Sequence, residues 1–341
     1  MKKAAFLFLV FFRVFAASLG AAEFVEGRVR LVLNENIGRF SLYYMADIAG
    51  EEYVALFADK DPRTSFLAVQ INDRNYRLGD TSSFKTTLGG SKTQPSLVFN
   101  SRIVEVTEDF SFITTSGSNL TNGVKITITI TNKGKERFLA GARLLLDTEL
   151  GETETPFSTD RRQITSEAQI SPASGESFWV SGGAKAGLMG SASVEGLTAP
   201  DLVHFANWKR LNDAPWKTPF YQDRNFNLLP YSVGDSAVCY YYEPVAVEPG
   251  EARTITLVLA SRDENGFSGA LSEEPGEISR LIKTGAGPEI ISRDTMQEDL
   301  VVLRDLAAKL DSFIKSGESV SEEELSAIEL VLSRLKAKYG L

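Results

Sequence analysis

From Glu23 to about Ala260, apolar and polar residues alternate with period two in short runs bounded by Gly, Asn, Asp and Pro. A strand throws successive side chains to opposite faces, so this alternation predicts half-buried antiparallel strands. The clearest run is Val124 to Thr131, in which Ile126, Ile128 and Ile130 share one face and Thr127 and Thr129 the other. Asn132-Lys133-Gly134-Lys135 supplies a turn in which Gly134 is free to take a positive φ. Arg143 to Leu146 then returns as a strand apolar enough to be covered on both faces. Arg28–Leu33 and Arg39–Tyr44 flank a turn at 34–38, and Val238–Tyr242 and Thr254–Leu259 flank Glu248-Pro249-Gly250-Glu251. Many short strands with closely spaced turns predict a mainly β chain, an antiparallel β-sandwich of up to supersandwich size, without parallel βαβ winding.

The period changes after Ala260. Residues 261–291 hold Gly, Pro, Ser and Glu with little periodicity and read as a linker, with one short helix near Ile278 to Lys283. Two amphipathic helices follow within 292–341. Met296, Leu300, Leu303, Ala307, Leu310 and Ile314 recur at helical spacing, as do Leu325, Ile328, Leu332, Leu335 and Tyr339. Thr295 with Glu298, and Ser321 with Glu324, have the spacing of capping boxes. The short connection predicts an antiparallel hairpin. Val302, Leu306 and Phe313 widen the first stripe beyond what one partner helix can cover, so a third apolar surface is required. Either the sandwich of the same chain or a partner supplies it; Leu300, Leu303, Leu310, Leu325, Ile328 and Leu332 are the expected docking residues.

The N-terminus changes the expected address. Lys2 and Lys3 precede an apolar run from Ala4 to Leu19, interrupted by Arg13, and Gly20-Ala21-Ala22 closes it. A basic start, a short apolar core and a small-residue site read as a secretory signal over 1–22 rather than a membrane span. The expected product is periplasmic or on the cell surface. Removing Lys2, Lys3 and Arg13 with the leader takes the formal charge from −9 to −12. Such an acidic chain repels phosphate, which argues against nucleic acid as a partner. Cys239 is the single cysteine, so no intramolecular disulfide forms, and its apolar neighbours predict a buried thiol.

Candidate chemistry is sparse. The segment 151–235 is irregular and carries all three tryptophans, Trp179, Trp208 and Trp216. Long connections on a rigid sheet are where binding commonly sits. His204 is the only histidine, and no Gly-x-Ser-x-Gly elbow accompanies it, so a serine triad has no support. One His and one Cys cannot make a typical zinc site. Asp147, Glu149 and Glu152 lie at the exit of a core strand, where Asp147 and Glu149 share a strand face. Such carboxylates suit calcium or glycoside hydrolysis, or form a solvated acidic loop; otherwise no cofactor is expected.

The segments Arg143 to Gly151, Phe205-Ala206-Asn207-Trp208, Asp235 to Val238 and Glu248 to Glu251 resemble those of exported bacterial β-sandwich proteins. The resemblance covers about 100–260; it implies a sandwich and no activity or catalytic residues. Galactose-mutarotase-type sandwiches are similar in shape, but their catalytic His pair is missing from a chain with one His. The leading expectation is a non-catalytic envelope protein whose hairpin docks on an envelope partner or a second copy. The alternative is a carbohydrate-binding or carbohydrate-modifying module. There Trp179, Trp208 and Trp216 stack on sugar, and Asp201, His204 and nearby carboxylates contact hydroxyls. Exposed tryptophan rings would favour the glycan, and buried ones the scaffold.

Overall fold

The computed structural model describes residues 21–48, 50, 52–58, 61–115, 120–148, 150, 156–262, 266–267, 293–316 and 320–339. The chain opens with a four-stranded antiparallel meander of β1 (Ala21–Glu26), β2 (Val29–Asn34), β3 (Arg39–Asp47) and β4 (Glu52–Ala55). There follow β5 (Phe66–Ile71), β6 (Arg74–Arg77), β7 (Lys85–Gly90), β8 (Pro95–Asn100), β9 (Val104–Ile113), β10 (Gly123–Asn132) and β11 (Phe138–Asp147). Shorter strands come next: β12 (Phe157–Thr159), β13 (Gln163–Ile164), β14 (Ala168–Ile170), β15 (Phe178–Gly182), β16 (Gly187–Ser191) and β17 (Leu202–Asn207). The helix α1 (Trp208–Asp213) precedes β18 (Ser236–Val247) and β19 (Ala252–Ser261). Two longer helices, α2 (Arg293–Ser316) and α3 (Glu322–Tyr339), end the described chain.

Beyond the meander, the strands form a nine-stranded sheet, β13-β12-β15-β16-β19-β10-β9-β8-β7, and a six-stranded sheet, β14-β17-β18-β11-β5-β6. Every pairing is antiparallel, and the two sheets enclose one apolar core to which the meander also contributes. Ile126, Ile128 and Ile130 are all fully enclosed in that core while Thr127 and Thr129 are half-buried, as the alternation requires. β11 is buried on both faces, with Leu144 and Leu146 toward the nine-stranded sheet and Arg143 and Leu145 on the outer side. The turn after β10 is closed differently from the expectation. Gly134 has no positive φ; the Asn132 side chain accepts from Gly134 N (2.9 Å) and donates to Glu136 O (2.9 Å).

One acid sits among these core residues. Glu108 lies on the inward face of β9 between Val106 and Phe110, and is 1% exposed. Burial pushes its carboxyl up to about 8, against the opposing pull of the Arg39 charge. Arg39 itself donates to the carbonyls of Ile37, Gly38 and Leu78 and pairs with Asp80 at 2.9 Å.

The hairpin forms, with α3 capped as expected: Glu324 N donates to Ser321 Oγ (3.2 Å) and Ser321 N to Glu324 Oε2 (3.1 Å). Because α2 begins at Arg293, Thr295 and Glu298 lie inside it rather than at its cap. The buried seam of α2 is also not the expected one. Val302 and Leu306 are enclosed, whereas Leu300, Leu303, Leu310 and Ile314 are 63%, 38%, 36% and 79% exposed. At 3.6 residues per turn the two stripes lie about a quarter turn apart, and of the three residues that widen the first stripe Val302 and Leu306 are the ones that pack. On α3, Ile328 and Leu335 are buried and Leu332 is partly so, but Leu325 is 44% exposed. The third surface belongs to this chain: Met45, Ile48 and Leu120 join the hairpin's cluster. The buried Asp299 of α2 ties the ends together, accepting from Tyr339 Oη (2.6 Å) and pairing with Lys338 (2.8 Å). Of the expected signal segment 1–22, residues 1–20 lie outside the described residues and Ala21 and Ala22 open β1; the short helix expected near 278–283 also lies outside them.

Candidate functional site

The outer face of the six-stranded sheet carries polar side chains where the inner face carries Val, Leu and Phe. Alternation along β17 and β18 puts Val203, Phe205, Val238 and Tyr240 in the core, and His204, Cys239 and Tyr241 outside it. Phe66, Arg77 and Arg143 join them from β5, β6 and β11. The segment from α1 to residue 235 lies over this face and buries it.

Guanidinium groups hold that cover. Helix α1 is started by Asn207, whose Oδ1 accepts from Arg210 N (3.3 Å). Its C-terminal carbonyls lack helical partners. Arg77 Nη2 donates to Asn212 O (2.8 Å), Arg143 Nη1 to Ala214 O (2.9 Å) and Arg143 Nη2 to Leu211 O. Three cationic donors therefore meet the electronegative end of the helix, the favourable sign. Arg143 Nε reaches Cys239 Sγ at 3.2 Å, so the thiol is buried as expected. The Asn207 side-chain amide closes the far side by donating to Phe226 O (2.8 Å), Ser232 Oγ (2.9 Å) and Asp235 O (3.0 Å).

A second anchor lies at Glu167, 3% exposed. Its Oε1 is 3.0 Å from His204 Nε2 and accepts from Tyr221 N at 3.1 Å, and its Oε2 pairs with Arg210. Burial lowers the pKa of His204, while the hydrogen bond to Glu167 opposes that shift. With Glu167 Oε1 as the acceptor, the imidazole donates from Nε2. His204 is 1% exposed and the Phe220 ring packs 6.0 Å away, so in this state the pair acts as a strut beneath Phe220 and Tyr221.

Above the strut the cover is aromatic and exposed. Phe220 is 42%, Tyr221 50% and Tyr231 71% exposed, and Leu229 and Val233 stand out beside them. Cations flank the rings: Arg210 and Arg224 lie 5.0 and 5.4 Å from the Tyr221 centroid, and Lys209 lies 5.7 Å from that of Tyr231.

These are not the rings expected from the sequence. Trp179 is fully buried among Phe157, Phe205 and Tyr240, and its Nε1 donates to Tyr240 Oη at 2.6 Å. A Cβ at Gly190 would come within 2.4 Å of that indole, so the glycine makes room for it. Trp208 and Trp216 are half-buried under the cover; Trp208 Nε1 donates to Thr64 O (2.9 Å), and Trp216 packs edge-on to Tyr241. None offers an open face to a sugar. Asp201 is exposed, but its Oδ2 accepts from Glu243 N (2.7 Å) at the edge of the sheet. Of the proposed calcium ligands, Glu149 and Glu152 lie outside the described residues. Asp147 is buried at the end of β11. Among the described residues, no three His, Cys, Asp or Glu side chains form a metal-binding group. No described helix is long and apolar enough to cross a membrane.

Glu167, Arg210, Phe220, Tyr221 and Tyr231 were not singled out from the sequence. The available signal was aromatic density between Trp216 and Tyr231, in a stretch without strand periodicity.

No family model matches the chain, and no curated protein matches it. Solved structures do. A galactose mutarotase-like protein from Lactobacillus casei is 8% identical over 71% of this chain and 100% of its own, with a TM-score of 0.43. A galactose mutarotase related enzyme from Lactobacillus acidophilus is 8% identical over 71% and 97%, at 0.42. A GalM/aldose epimerase homologue from C. elegans is 10% identical over 71% and 98%, at 0.42. The expectation of a non-catalytic scaffold docking through its hairpin is corrected by the packing of that hairpin. The hairpin's buried seam packs on Met45, Ile48 and Leu120 of its own chain.

Proposed function

We propose that the chain is a carbohydrate-recognising protein whose sugar-binding surface is the aromatic cover over the six-stranded sheet. One observation carries this reading: Phe220, Tyr221 and Tyr231 are exposed within twelve residues of each other, on a backbone held by Glu167, Asn207 and Arg143. Aromatic faces take the C–H faces of a sugar, and Arg224 and Lys209 beside them offer donors to its hydroxyls. Preorganisation by buried anchors lowers the ordering cost that an open loop would incur. The Glu167–His204 pair serves here as a positioning element. The basic, apolar and small-residue pattern of 1–22 supports an exported protein, where such a ligand is met.

Titration with neutral oligosaccharides, read by calorimetry, tests the proposal. Tyr221→Ala with Tyr231→Ala should abolish saturable binding and leave the melting temperature within about 2 °C, since exposed side chains away from the core carry little stability. Binding that survives both substitutions, or a panel of neutral glycans that never saturates, would overturn it.

A further inference from the structure

The opposite end of β11 and β18 holds a separate cleft. There the turn between β8 and β9 faces the turn between β10 and β11 across about 530 Å³. That volume falls in the range of small-molecule pockets. Its walls are fixed by the backbone: Lys133 N donates to Ile103 O (2.9 Å), and the Asn132 side-chain amide donates to Glu136 O and Val247 O (both 2.9 Å).

The charge in this cleft opposes that of the chain. The formal charge overall is −9, yet Arg102, Lys133 and Lys135 line the cleft with one acid, Glu136. Lys133 is occupied by Asn100 and by Glu105 at 3.7 Å. Arg137, just outside, pairs with Glu248 at 3.7 Å. Among the described residues Arg102 and Lys135 have no ion-pair partner, although the chain holds 45 Asp and Glu to 36 Lys and Arg. Ile103, 46% exposed, and Phe138 supply an apolar floor between these cations.

We infer that this cleft binds a small carboxylate-bearing sugar of the uronate type. A guanidinium and an ammonium left unpaired in a preformed cleft suit one carboxylate, with Arg102 able to grip it through two parallel N–H bonds. Ile103 and Phe138 face the C–H side of a ring, and Glu136 accepts from ring hydroxyls. The preference for a carboxylate stands on the cleft alone; the choice of a sugar over another ring acid rests on the carbohydrate reading above.

Calorimetry on the full chain with glucuronate, glucose, cyclohexanecarboxylate and inorganic phosphate tests it. Glucuronate should saturate, the other three should bind at least about tenfold more weakly, and Arg102→Ala with Lys135→Ala should weaken glucuronate at least about tenfold. Both residues are exposed, so an unchanged melting curve verifies that the double variant is folded. The Tyr221→Ala, Tyr231→Ala variant should bind glucuronate undiminished, which separates this site from the aromatic cover. Phosphate binding as tightly as glucuronate would reduce the cleft to an anion sink and overturn the proposal. Equal binding of cyclohexanecarboxylate would overturn the sugar assignment. Absence of saturation, insensitivity to the two cation substitutions, or loss on removing Tyr221 and Tyr231 would overturn the site itself.

Discussion

The two faces of the six-stranded sheet are both buried, by different means. Its inner face meets the nine-stranded sheet through Leu67, Val69, Leu144, Val238 and Tyr240, and dispersion and the hydrophobic effect hold it. Its outer face presents Arg77 and Arg143 to a cover whose carbonyls they bind one by one, and Glu167, bonded to His204, accepts from the Tyr221 amide. Apolar packing is indifferent to chemistry and tolerates repacking. A guanidinium on a helix-end carbonyl fixes one backbone position. The first face sets the stability of the fold, and the second fixes where the aromatic rings of the cover stand.

That contrast is open to test, beginning with its largest expected effect. Ile128→Ala, in the fully enclosed centre of β10, should lower the unfolding free energy by about 2–5 kcal/mol in urea, with the m-value unchanged. Arg143→Met keeps most of the side-chain volume but leaves the carbonyls of Leu211 and Ala214 without their donor. A loss of about 2–3 kcal/mol is expected, together with faster proteolysis confined to 208–235. Cleavage spread over the whole chain would mean that the cover is not a separate unit. Thr127→Ala, on the half-buried face of the same strand as Ile128, should change stability by less than about 1 kcal/mol.

The two regions should also answer pH in opposite senses. Glu108 has a folded pKa of about 8 against an ordinary value of 4.5, so the native state holds the proton more tightly. Its contribution is full below about 4.5 and is lost as pH rises toward about 8. His204 is shifted downward from 6.5, so the unfolded chain takes up its proton first and stability falls as pH drops below that value. Glu108→Gln should flatten the loss between pH 5 and 8, a window taken from those values. His204→Gln should flatten only the acid limb. Urea midpoints across pH check both, and an unchanged slope for Glu108→Gln would place that carboxyl in contact with water.

The core between the two sheets was legible in the sequence because period two is written into it: Ile126, Ile128 and Ile130 of β10 could point nowhere else without exposing three branched chains. The capping box at Ser321 and Glu324 was legible for the same local reason. The outer face was legible only in part: Arg143 to Leu146 read as covered on both faces and Cys239 as buried, but not what covers them, because the carbonyls that Arg143 binds arrive from 208–235. Tryptophan drew attention as a sugar platform, yet its size suits the interior, and Trp179 fills the space left by Gly190. On α2 the wrong stripe was favoured because two apolar stripes share one helix, and the first sheet, which chooses between them, is more than two hundred residues away.

Hydrogen exchange with and without a neutral oligosaccharide tests the carbohydrate reading most directly, because it reports where the ligand sits. The account predicts slowed exchange at the amides of 217–233, with β10 and β19 in the core unchanged. Protection absent from 217–233, or confined to another part of the molecule, would contradict it.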